Sequence, residues 1–306
     1  MATTSVDGLT VSYELIGAAP GSGGRSWVIT PGGRYSKDDP GLREMAEALA
    51  GRDGRTLIWD RPNCGASDVC FDGASESEMQ ADVLAGLVET LGLGPAVLAG
   101  GSGGARVALL AAARHPASAA GVAMWWITGR PLGLLSLAMH YCSGSLKAAW
   151  DEGMHAVVAL PEWAEVLDRN PTNRARFLAQ DPAEFIATME RWMTAYAPGT
   201  DDVVPGLSAA DAQAFALPAL VFRSGASDFH HPRTTSERIA AALPTARLVE
   251  PPWGDREWRE RQDERTRGIT GGLFVRWHLL VPQLHAWVDE ALTPVVTRQH
   301  GPRDRS

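Results

Sequence analysis

"VLAGGSGGARVALLAAARHP", residues 97–116, decides how this chain is read. An apolar run ends in five small residues and becomes an alanine-rich helix, so a strand turns directly into a helix around residues 100–104. Three chemistries use a glycine-rich turn at such a junction. A phosphate loop would close on Gly-Lys-Ser/Thr, and here the turn runs into Ala105 and Arg106 with no lysine. A dinucleotide fingerprint needs a third glycine, where Arg106 stands, and an acidic residue about 20 positions on. That later stretch reads "AGVAMWWIT" and contains no acid. The remaining pattern is G-x-S-x-G, which lifts Ser102 onto a tight strand-to-helix turn as a nucleophile, with a purely structural glycine turn that lets two elements pack closely as the alternative. Such a turn strains the backbone and leaves no room for side chains beside the serine. The Gly103 amide, at the helix start, then faces any negative charge that develops there, with the helix dipole behind it.

Working outward, strand and helix patterns alternate. Residues 9–16, 26–30, 55–60, 95–100 and 121–128 have strand-like apolar runs, and 39–51, 75–94 and 104–116 have helical spacing. Ser75 and Glu78 stand at capping-box spacing. Alternation of this kind means a parallel sheet covered by helices on both faces. From 129 to 215 only helical patterns and breaks are visible. The alternation then resumes with a strand and loop at 218–228, a helix at 233–243, a strand at 246–252 and a closing helix at 279–292. The expected architecture is α/β, with residues 1–128 and 216–306 forming the core and 129–215 an inserted all-helical unit.

Bulk composition narrows the partners. The 306 residues are 45% apolar and 21% charged, a balance that fills a core, and the net charge of −8 argues against nucleic acid. Three cysteines, Cys64, Cys70 and Cys142, lack metal-ligand spacing, so neither a metal site nor a disulfide scaffold is expected. No leader-like N-terminus and no apolar run near about 18 residues is present, so the expectation is a cytoplasmic protein without membrane contact. A small-molecule ligand fits this balance, and a homodimer stays open. The polar tail "TRQHGPRDRS" is expected to fray.

A nucleophilic serine needs a base, and the base needs an orienting carboxylate, in the chain order Ser, acid, His. Asp228 follows the strand at 218–222 in a loop at the strand's C-terminal end, where open parallel sheets place their chemistry. Its alternative role is to cap the helix that Pro232 opens. His115, His140 and His155 precede the acid, and His300 lies in the tail. His230 and His231 share the loop of Asp228, too close in chain for the usual geometry. That leaves His278 and His285, of which His278, at the mouth of the last helix, is preferred.

Together these motifs resemble α/β-hydrolase-fold enzymes with a helical cap, over about residues 8–292. "VITPGG" (28–33) is similar to the oxyanion strand and turn, with Pro31 where many members carry histidine. "WDRPNCGASD" (59–68) is similar to the loop after the following strand. The resemblance implies a catalytic set of Ser102, Asp228 and His278, with the amides of Gly33 and Gly103 as oxyanion donors. It implies no cofactor and no metal. It also implies two-step hydrolysis of an ester or lactone, with specificity placed in the cap. The substrate-contacting candidates are Arg34, Trp126, Arg130 and Trp192. The apolar cap residues Met139, Met154, Trp163, Phe185, Met189 and Trp192 suit either an apolar pocket or plain packing. An arginine such as Arg130 or Arg191 holding a carboxylate would favour carbon–carbon bond hydrolysis instead, and a broken catalytic set would favour a non-catalytic receptor. Family members usually show G-x-G-H after the last strand. Here residues 251–278 form a longer loop whose stretch "DREWRERQDERTR" has opposite charges four apart, the mark of an exposed helix. A mobile flap hinged near Gly268 and Gly271-Gly272 is the alternative.

Overall fold

The computed structural model describes residues 2–19, 24–51, 54–197, 202–226, 228–269 and 272–292. In chain order, β1 (Ala2–Val6), β2 (Leu9–Gly17) and β3 (Ser26–Thr30) are followed by α1 (Leu42–Ala50), β4 (Arg55–Trp59) and α2 (Glu76–Thr90). Then come β5 (Ala96–Gly101), α3 (Gly103–Arg114) and β6 (Ala119–Trp125). These strands, with β9 (Ala219–Phe222) and β10 (Ala246–Val249), build one eight-stranded sheet in the order β1-β2-β4-β3-β5-β6-β9-β10. The first two strands pair antiparallel, and β4 onward runs parallel. The expected α/β core is therefore present, although β1 had no strand signal.

The sheet separates two apolar cores because successive strand residues point to opposite faces. Trp27, Ile29, Val97 and Ala99 meet α1 and the closing helix α13 (Val281–Leu292) on one face. Val28 and Leu98 meet α2 and α3 on the other. Pro282 stands in the first turn of α13, where a proline costs no helix hydrogen bond. Ser75 caps α2 as its spacing predicts, its Oγ accepting from the Glu78 amide at 3.1 Å. Strand β6 stops three residues short of Thr128, because Trp126 takes a φ of +49° and turns the chain out of the sheet.

The segment between β6 and β9 is mostly helical. It comprises α4 (Pro131–Ala138), a wide π-type turn at Met139–Ser143, α5 (Gly144–Glu152), α6 (Met154–Val157), α7 (Ala164–Arg169), α8 (Thr172–Leu178) and α9 (Pro182–Ala195). It is not wholly helical as far as residue 215. A short hairpin, β7 (Asp202–Val204) with β8 (Leu207–Ser208), precedes α10 (Ala209–Ala214). These strands are too short for an alternating pattern to register. After β9, α11 (Arg233–Ala242) starts behind Pro232, and α12 (Glu257–Thr266) occupies the charged stretch. The fraying expected of the tail, His300 and Gly271 fall outside the described residues. Among the described residues no helix is long and apolar enough to cross a membrane.

The turn at 100–104 is closed by backbone packing. A Cβ on Gly104 would lie 2.0 Å from the Thr30 carbonyl oxygen, and one on Gly100 would lie 2.4 Å from the Gly104 oxygen. A Cβ on Gly103 meets nothing nearer than 3.7 Å, so only part of the glycine run is demanded by packing. Gly104→Ala is expected to destabilise the fold by about 3 kcal/mol through overpacking that backbone cannot relieve. Gly103→Ala is expected to change stability by less than about 1 kcal/mol. Denaturant unfolding of both variants reads the contrast.

Candidate active site

Four neighbouring parallel strands, β3, β5, β6 and β9, bring the chemistry to one edge of the sheet. Ser102 stands between β5 and α3 with φ 57° and ψ −126°, a conformation that costs a non-glycine residue of order 1–3 kcal/mol. Its amide donates to the Trp125 carbonyl at 3.1 Å, which ties the turn to β6. The turn after β3 packs directly against it, since a Cβ on Gly32 would lie 2.5 Å from the Ser102 Cβ. Gly33, at φ +56°, has its amide nitrogen 3.7 Å from the Cβ position of Gly103. Gly33, Ser102 and Gly103 line one cavity.

The loop after β9 supplies both remaining groups. His231 Nε2 lies 2.8 Å from Ser102 Oγ, and His231 Nδ1 lies 2.9 Å from Asp228 Oδ2. The other carboxylate oxygen, Oδ1, accepts the amides of His230 at 3.1 Å and His231 at 2.9 Å. Both Asp228 and His231 are buried, 6% and 1% exposed. A carboxylate that accepts from two amides and a ring nitrogen fixes the tautomer: Nδ1 carries the proton and Nε2 presents its lone pair to the serine hydroxyl.

His278 is not brought to this site. It is exposed at the start of the last helical segment, with Nδ1 against the Val275 carbonyl at 3.0 Å. His285 lies against Trp27 on α13, its Nε2 3.4 Å from the Ala48 carbonyl. Closeness in chain to Asp228 does not keep His231 from bridging Asp228 and Ser102. Because Oδ1 draws in the amides at 230 and 231, the loop curls back and the His231 ring lands beside Oδ2. The signal was present in "SDFHHP": a histidine three residues after the acid, immediately before a helix-opening proline. The segment after β10 holds Trp253, whose ring centre lies 5.7 Å from that of Trp126.

Tryptophans wall the imidazole. Trp126 stacks on His231 with ring centres 6.1 Å apart, and Trp258 meets it edge-on at 4.4 Å. Such faces stabilise an imidazolium when it forms. Beside it, His230 has its pKa lowered by burial and by the charge of His231. A chamber of about 310 Å³ opens at Ser102 and His231, lined by Tyr35, Trp126, Leu137, Tyr141, Trp258 and Phe274 among others. Trp126 is thus where a substrate would lie. Trp192 is not: it is buried in the insertion with Trp163, Phe177, Phe185 and Met189, its Nε1 donating to the Gly73 carbonyl at 3.4 Å. Arg130 is exposed at the start of α4, and Arg191 donates to the Gly73 carbonyl at 3.0 Å. Neither lines the chamber. Arg34 lines a narrower arm on the other side of Ser102.

Helix α12 is not purely a surface helix. Glu257 and Arg261 pair at 3.0 Å as their spacing predicts, but both are buried, and Trp258 and Gln262 face the chamber. Asp255 pairs with Arg233. The three thiols are buried and unpaired with one another. Burial pushes Cys64 and Cys70 up to about 11 and Cys142 up to about 12, so none supplies a thiolate at neutral pH. No cluster of metal ligands occurs among the described residues.

No family model matches the chain, and neither does any curated protein. Solved structures do. An enol-lactonase from Burkholderia xenovorans LB400 is 23% identical over 88% of this chain and 98% of its own, with a TM-score of 0.53. A thermophilic esterase from Thermogutta terrifontis, solved with malate bound, is 22% identical over 95% and 97%, at 0.53. An esterase from Rhodococcus sp. ECU1013 is 19% identical over 94% and 98%, at 0.57. The chain has the α/β-hydrolase fold.

The geometry carries its own test. A proton on His231 Nδ1 shared with Asp228 gives a downfield histidine resonance in proton NMR. The resonance is expected to vanish in Asp228→Ala and to persist in His278→Ala.

Proposed function

We propose that the protein is a serine hydrolase that cleaves an ester or lactone of a small substrate through an acyl-enzyme on Ser102. The observation that carries this reading is the unbroken relay from Asp228 through His231 to Ser102, with steps of 2.9 and 2.8 Å. His231 Nε2 takes the Ser102 proton as Oγ attacks the carbonyl carbon. The amides of Gly33 and Gly103 receive the oxyanion, and Asp228 stabilises the imidazolium. His231 then returns the proton to the departing alkoxide. In the second step it deprotonates a water that releases the acid. No cofactor enters these steps.

Three further features support the reading. The strained Ser102 backbone persists only where the surroundings enforce it, and such strain clusters at functional positions. The chamber at the serine accommodates a small organic ester and is walled by aromatic rings. The structural neighbours include esterases and an enol-lactonase. No observation favours carbon–carbon hydrolysis through Arg130 or Arg191, both of which lie away from the chamber, and an intact relay disfavours a non-catalytic receptor.

Hydrolysis of p-nitrophenyl acetate, butyrate and octanoate tests the proposal. Ser102→Ala and His231→Ala are each expected to lower kcat by about 10³-fold or more, because members of such a set act as a unit. His278→Ala is expected to retain wild-type rates. Equal loss in His278→Ala and His231→Ala would overturn the assignment of the base, and an unaffected Ser102→Ala would overturn the reaction itself.

A further inference from the structure

The narrower arm at Ser102 has a different chemistry from the aromatic chamber. It is a cavity of about 30 Å³, enough for one or two waters or a single carboxylate group. Three arginines line it: Arg34, Arg61 and Arg106. Arg61 and Arg106 are 3% and 4% exposed. The carboxylate among the lining residues is Glu76, whose Oε1 lies 3.3 Å from Arg34 Nη1. Two positive charges are therefore left without a carboxylate in the lining of a buried arm.

The arginines differ in how they are held. Arg61 is a strut, donating to the carbonyls of Gly32 at 3.2 Å and Gly33 at 2.5 Å, which braces the turn beside the serine. Arg34 lies over the Trp163 ring at 4.1 Å and donates to the Tyr141 carbonyl at 3.3 Å. Burial works against its charge, but Glu76 together with the Cys64, Tyr141 and Cys142 side chains raises its pKa above the usual arginine value. Arg106 donates through Nε to Ser77 Oγ at 2.9 Å and through Nη2 to Tyr196 Oη at 3.2 Å. Its remaining group, Nη1, is buried and has no hydrogen-bond partner among the described residues. A buried guanidinium nitrogen without an acceptor is costly, and an anion in this arm would satisfy it.

Resting on the reading above, we propose that this arm binds a carboxylate on the acyl part of the substrate, so that the preferred substrates are hemi-esters of short dicarboxylic acids. Assignment to the acyl side follows from the position of the base. His231 lines the aromatic chamber and not the arginine arm. The leaving oxygen must receive its proton from His231, so the leaving group occupies the chamber. The acyl chain then points the other way, past Ser102, Gly33 and Gly103 into the arm. In the first step the Ser102 Oγ–carbonyl carbon bond forms, the carbon–oxygen bond to the leaving group breaks, and the serine proton passes through His231 to the alcohol. Water then frees the dicarboxylate. The small volume limits the acid to a few carbons.

Mono-p-nitrobenzyl succinate and p-nitrobenzyl pentanoate share a leaving group and differ in the charge at the acyl end. Wild-type kcat/KM is expected to favour the succinate by about tenfold or more, the range of a charged hydrogen bond. Arg106→Gln is expected to bring the ratio close to unity, and Arg106→Lys to restore part of it. Equal or poorer use of the succinate by the wild type would overturn the subsite while leaving the esterase reading intact. Calorimetry with succinate and neutral succinamide gives the independent arm. Saturable binding of succinate alone by the wild type supports the subsite even if no ester is cleaved, and no binding of succinate overturns it even if esters are.

Discussion

Where β3, β5 and α3 meet, three backbones touch with no side chains between them. Gly104 sits so close to the Thr30 and Pro31 carbonyls that even a methyl group would overlap them. This contact sets much else. It pulls the start of α3 against the end of β3 and forces Ser102 into a positive φ. It also keeps the Gly33 amide nitrogen 3.7 Å from the Cβ position of Gly103. Strain of order 1–3 kcal/mol at Ser102 is tolerable because fully buried strands on both sides hold the turn from either end.

Asp228 and His231 come from one tight loop after β9. Asp228 binds the backbone at 230 and 231 with one oxygen and the His231 ring with the other, so a single side chain both folds the loop and orients the imidazole. Burying a carboxylate alone costs several kcal/mol, and three donors to one group offset that cost. The compact arrangement also frees the segment after β10. Trp253 and α12 occupy it and add Trp258 to the aromatic wall around the base.

Aromatic residues and arginines are sorted by position in this molecule. The insertion spends its large side chains on itself: Phe71 reaches up from the core and contacts Trp163, Phe177, Phe185 and Trp192. The rings that face the serine come mostly from the loops after β3, β6 and β10 and from the π-type turn that carries Tyr141. Arginines gather on the opposite side of Ser102, where Tyr196 and Trp163 cover their faces. The space around Ser102 is thus apolar towards His231 and cationic away from it.

Local pattern alone determined the parallel sheet and the alternation of its strands and helices along the chain, and it singled out Ser102 and Asp228 as candidates. Each of these is written in a short window: strand periodicity, a glycine run at a strand end, an acid just past a strand. His231 was visible in the same loop as Asp228, yet sequence distance argued against it, because chain separation does not reveal how a carboxylate curls its own backbone. Trp192 looked like a pocket residue because packing and pocket draw on the same side chains. Arg106 entered the reading only as a missing glycine. Its role depends on Ser77, Tyr196, Arg34 and Glu76, which lie as far as 90 residues away along the chain and converge only after the insertion docks on the sheet. Burial and net charge in a cavity are sums over such distant neighbours, so only the tertiary structure decides them.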